Sequence, residues 1–323
     1  MTDARRDTVR MAALIGEAIS TRVLRGSPGQ PLTGIGVTPP ACGGLALGPL
    51  RNDLEGGLSG LALLLAALHR ATGNPAWEPL ARRVSAGPAA ELRRWIAVDD
   101  GHFRTLHPAW GDGLTGLTYG IAGMHSLLGV KRPNEIDAFI AKARRAAPLQ
   151  GCAAPLLLLT AHPVDGAVAA APLDGGWPAS AWRSRIMGDA WFEALHRGDA
   201  AETLARSHLQ LLSSAASGAR MEPLRLLDDW ETVLLDPELH RGMLDLLLSR
   251  TSAVLREGGL FRVWGIAMGL FPSVLVGEGA LAWSLLRVGD PQLPSLRYPS
   301  STARMLAVTG MPPLAPSLRC ASE

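Results

Sequence analysis

Four times the chain writes a Gly-rich turn that runs directly into an apolar helix. The segments begin Gly57-Leu58-Ser59-Gly60, Gly113-Leu114-Thr115-Gly116, Gly151-Cys152-Ala153-Ala154 and Gly277-Glu278-Gly279-Ala280. Weaker copies lie at Gly188 and Gly242, between the third and fourth strong ones. Each interval between copies accommodates one or more helical hairpins, and such internal repetition implies stacked helix pairs. Glycine has a physical reason here. Without Cβ, a helix start approaches its neighbour closely, and its free first-turn amides can hold an anionic or polar ligand. Tight packing alone is the simpler reading of any one copy. In register, the copies bring several helix starts to one end of the molecule.

Around these turns the chain reads as a single all-α unit of helical hairpins over 1–299, followed by a Pro-containing tail over 300–323. An amphipathic helix is expected over 4–25, with Val9, Ala12, Ala13, Gly16 and Ile19 on one stripe. A Gly/Pro-rich loop is expected over 26–50. Helices follow over 58–72, 77–84, 89–97, 114–128 and 133–146, the first ended by Gly73-Asn74-Pro75. Further helices are expected at 154–161, 187–197, 199–216, 221–233, 239–257 and 278–288. Low Val, Ile, Thr and Tyr content predicts no sheet. The apolar first helix and last hairpin favour closure into a ring, an α/α toroid, over an open solenoid.

Composition excludes several function classes. The chain has 323 residues, 47% of them hydrophobic and only 19% charged, which suffices for a sizeable core. A net charge of +2 gives no electrostatic argument for nucleic acid or a membrane surface. Cys42, Cys152 and Cys320 are scattered outside any metal-binding spacing, as expected in a reducing cytosol. The residues after Met1 lack the apolar core of a signal peptide, and no apolar run reaches the length of a membrane span. The expectation is a cytoplasmic protein.

The stretch from Gly48 to Leu63, with Arg51-Asn52-Asp53-Leu54-Glu55-Gly56-Gly57 at its centre and Ala71-Thr72-Gly73-Asn74-Pro75 after it, resembles the lanthionine synthetase C-like family. Pro272-Ser273-Val274-Leu275-Val276-Gly277-Glu278-Gly279-Ala280 and Leu285-Leu286-Arg287-Val288-Gly289-Asp290-Pro291 resemble that family's closing repeat. Helix 12–25 resembles its opening one, so the likeness spans nearly the whole chain. The resemblance implies an α/α toroid that binds a dehydrated, Cys-containing precursor peptide. It also implies a zinc ion, held by two cysteines and a histidine, that activates a substrate thiol for addition to a dehydroamino acid.

The metal positions depart from that pattern. Arg183, in Ala181-Trp182-Arg183-Ser184-Arg185, takes the place of the first cysteine, and the Cys-His pair maps to Pro237-Glu238. The His-Gly segment falls in an apparent deletion between 160 and 180, which leaves the ring one hairpin short. The expectation is therefore no metal and no cofactor. Arg183 and Glu238 suggest an ion pair across the vacated gap, the alternative being two solvated side chains. His240, beside the lost ligand position, is the candidate general base, or a surface histidine beside Arg241. Candidate substrate contacts are Trp182, Arg185, Asp112, His107, Glu55 and Glu278. His102 and His107 could face the cavity together or serve only as loop residues. For Asp53, Glu55 and Glu278 a capping role, favoured by the helix dipole, is the competing reading.

Two functions in different classes follow. One is a metal-independent thioether-forming cyclase. The other is a non-catalytic adaptor that holds the peptide, or a dehydratase/kinase or decarboxylase partner. A sugar-active α/α barrel would need paired carboxylates at matching turns, and no convincing pair occurs.

Overall fold

The computed structural model describes residues 3–38, 46–104, 113–146, 262–263, 266–267, 272–274 and 278–290, with 248, 252, 293 and 296 singly. Among these residues the chain is mostly helical. The helices are α1 (Asp3–Arg22), α2 (Leu58–Thr72), α3 (Trp77–Ala97), α4 (Asp100–Arg104), α5 (Leu114–Leu127), α6 (Asn134–Ala146) and α7 (Glu278–Gly289).

The middle of the described residues is α2. Its Leu/Ala run carries no β-branched residue before Thr72, and every residue from Leu58 to Leu68 is buried. A helix apolar all round belongs inside. Gly57, in extended backbone, starts α2; Gly73 ends it at φ 68°, where its N–H closes onto the His69 carbonyl. On either side of α2 lie α5 and α7. A Cβ at Gly120 would sit 2.8 Å from Ser59, and one at Gly123 would sit 2.7 Å from the Leu63 side chain. The two contacts advance together, so α5 runs parallel to α2. Ser273 ahead of α7 donates to the Glu55 carbonyl ahead of α2. Arg70 near the end of α2 pairs with Asp290 just past α7 at 3.4 Å. These three helices therefore point the same way and begin at one end.

Around them runs an outer layer of amphipathic helices. α3 buries Trp77, Ala81, Val84, Ser85, Pro88 and Leu92, a helical stripe, against the inner layer. α6 buries Ile136, Phe139, Ile140 and Ala143. It runs alongside α3, with Arg93 3.4 Å from Glu135 and the Lys142 ammonium on the Ile96 and Val98 carbonyls further along. α1 buries Thr8, Ala12, Ile15 and Ile19, and lies along α7 while touching α2. The first and last helices of the described chain thus meet, as their apolar faces led one to expect.

Two expectations are corrected. Strands occur where no sheet was expected: β1 (Leu24–Arg25), β2 (Thr33–Thr38) and β3 (Ala46–Pro49) form a small antiparallel sheet beside the helices, and β4 (Arg262–Val263) pairs with β5 (Ile266–Ala267). In β2, glycine takes inward positions, where Gly34 lies under Leu50 and Leu58, while Ile35 and Leu47 of the paired strands face outward. This inverted alternation hides the strand from a hydrophobicity pattern. The second correction is α3. A break before residue 89 was expected, yet the helix runs through Pro88. Proline in a helix interior forfeits one backbone hydrogen bond, and burial of Pro88 against the inner layer offsets that loss.

Candidate functional site at the shared helix starts

The turn ahead of α2 is built on Asp53, which is nearly inaccessible to solvent. One of its carboxylate oxygens accepts the Gly56 N–H at 3.0 Å, and the other lies 2.7 Å from Arg51 Nε. The carboxylate expected to cap the helix is spent instead on the turn before it; the residue at the cap, Gly57, offers no side chain to the helix. The backbone then doubles back so tightly that a Cβ at Gly60 would overlap the Leu54 carbonyl and lie 2.7 Å from the Val274 side chain. Ser273 stitches the turn ahead of α7 to this one through the Glu55 carbonyl, and its own carbonyl accepts the Ala280 N–H at 2.9 Å.

α5 repeats the arrangement. Gly113 is extended, makes no side-chain cap, and no acidic residue occupies the first turn of either α2 or α5. The first N–H of α2, at Leu58, is taken by the Arg51 carbonyl at 2.8 Å, so what the two uncapped starts share is the positive end of the helix dipole. Where α2 and α5 start, the described residues therefore gather two positive dipole ends on one side.

Glu278 opens α7 and is fully buried, and neither carboxylate oxygen has a hydrogen-bond partner. Burial pushes its carboxyl up to about 8, against the opposing pull of the Arg22 charge. The dipole expectation for this residue is outweighed. A first-turn carboxylate gains roughly 0.3–1 kcal/mol from the dipole, whereas stripping an ion of water costs several. Ser59, in the first turn of α2, likewise buries a hydroxyl with no partner.

Of the residues singled out from sequence, Glu55 and Glu278 lie on these two stitched turns, Glu55 half-buried. His107, Asp112, Trp182, Arg183, Arg185, Glu238 and His240 lie outside the described residues. His102 belongs to the outer layer, where its ring stacks on Trp95 of α3 at 6.2 Å. Sequence reasoning passed over Ser59 and Ser273, because a serine in a Gly-rich turn carries no distinguishing pattern.

Among the described residues no group of three His, Cys, Asp or Glu side chains gathers as a metal cage. The donor set at the zinc positions implied by the resemblance does not fit the ion: Arg183 stays protonated and cannot ligate. No described helix is long and apolar enough to cross a membrane. No protein-family model matches the chain, and neither does any curated protein.

Proposed function

We propose that this chain is a divergent, metal-independent relative of the lanthipeptide cyclases, a cytoplasmic toroid that matures a ribosomally made peptide. The observation that carries the reading is the common start of α2, α5 and α7 at Gly-lined turns, with α1 laid along α7. That is how a ring of helical hairpins would begin and close, and it agrees with the order of the sequence anchors at both ends of the chain.

In the proposed reaction a substrate cysteine loses its thiol proton to a base, for which His240 is the candidate. Sulfur then bonds to the β-carbon of a dehydroalanine or dehydrobutyrine. The alkene electrons move toward the neighbouring carbonyl, and a proton returned to the α-carbon completes a thioether. Helix-start amides suit the charge that builds on that carbonyl. Because thiol addition to dehydroalanine proceeds in water, holding the two groups together accounts for much of the acceleration. Arg183 and Glu238 would close the gap left by the metal, and Trp182, Arg185, His107, Asp112 and Glu55 would contact the peptide, whereas the buried Glu278 is closed to it.

The test incubates chelator-treated protein with the dehydrated, Cys-containing precursor and counts free thiols by alkylation and mass spectrometry. Thiol loss that requires the chain, and that slows at least about tenfold in His240→Ala, is the expected result. Unchanged thiols together with stable co-purification of the dehydratase/kinase or decarboxylase would make the chain an adaptor instead.

A further inference from the structure

The contact between α1 and α7 carries a group that the proposed chemistry leaves without an explanation. Glu278 sits at the first residue of α7, fully buried, with both carboxylate oxygens unpartnered. A carboxylate in such a place must be neutral or solvated, because an unpaired buried charge is among the costliest things a fold can hold. Among the described residues, the charged groups around it do not alter that. From α1 comes Arg22, which is exposed and acts on it only through its charge. α2 places no acidic residue in its first turn, and its basic residues His69 and Arg70 lie at the opposite end. In the turn between them, Asp53 is engaged by Arg51 and Gly56, and Glu55 offers its carbonyl to Ser273. On α7 itself, Arg287 lies about two and a half turns further along the helix and binds the Leu293 carbonyl.

We propose that the α1–α7 contact is a proton-dependent latch, held shut by an uncharged Glu278 carboxyl and released when that carboxyl ionises. The two helices lie far apart in sequence and pack against each other, so the seam can part without breaking a short connecting loop. Ionisation demands water or a counter-charge, and parting α7 from the end of α1 that carries the exposed Arg22 supplies both. Raising the pH therefore opens this seam before it opens the rest of the molecule. The inference is independent of the proposed cyclase activity.

Hydrogen exchange followed by mass spectrometry tests it on the full chain, from about pH 5 to about pH 8 and corrected for the intrinsic pH dependence of amide exchange. Peptides from α1 and α7 should lose protection by up to about tenfold per pH unit, the limit for release of one proton on opening. Peptides from α3 and α6 should lose less. In Glu278→Gln, a neutral isostere of the closed form, the α1 and α7 trend should flatten. An unchanged trend in that variant, or equal loss in all four helices, overturns the latch. Should the variant not fold, infrared spectroscopy of the unmodified protein decides. A protonated carboxyl band present near neutral pH, fading as α1 loses protection, supports the latch; its absence overturns it.

Discussion

At the scale of single residues, the glycines separate into those that need their missing Cβ and those that do not. Gly56 and Gly60 look alike in the sequence, four residues apart on one turn. A Cβ at Gly56 would meet nothing within 4 Å, whereas one at Gly60 would strike the Leu54 backbone and Val274. Gly60→Ala should cost about 2 kcal/mol or more, and Gly56→Ala should stay within about 0.5 kcal/mol; urea unfolding of the two variants measures the contrast. Ser59 makes a second case. Its buried hydroxyl has no partner, so Ser59→Ala should be neutral or stabilising by up to about 1 kcal/mol. A clear loss of stability would mean that an ordered water or a bound group satisfies it.

At the scale of elements, most helix positions are legible from periodicity and end signals. Gly73-Asn74-Pro75 stops α2 because glycine accepts the left-handed backbone, and the Asn74 side chain takes the Ala76 N–H at 3.0 Å. Where prediction and structure part, tertiary contact has overruled a local rule. Pro88 stays inside α3, and β2 pairs with β3 although Ile35 and Leu47 face outward. The end of α3 shows how such contacts are secured. The buried Lys142 of α6 gives its ammonium to the Ile96 and Val98 carbonyls and lies 5.5 Å from the Phe103 ring centre. Lys142→Met keeps much of the volume but leaves those carbonyls orphaned. It should lower stability by about 1–3 kcal/mol, read as a shift of the urea midpoint.

For the whole molecule the seam between α1 and α7 sets the response to pH. The Glu278 carboxyl titrates near 8 when folded and near 4.5 ordinarily, so the folded state holds a proton that the unfolded state has released. Stability should be greatest below about pH 4.5, as far as this group is concerned, and should fall as the pH rises to about 8, then level off. The total is about 3–5 kcal/mol, visible as a declining urea midpoint in the unmodified protein and a flatter one in Glu278→Gln. The sequence by itself determined the helical repeats, their glycine-marked starts and the apolar faces of the first and last helices. These follow from local spacing and backbone preference, which act over a few residues. Only the tertiary structure decided that α1 lies along α7, that Asp53 serves its turn and not the helix, and that Glu278 is buried without a partner. Each depends on which surfaces meet across the chain, and burial, which shifts a charge by several kcal/mol, is a property of that meeting and not of any stretch of sequence.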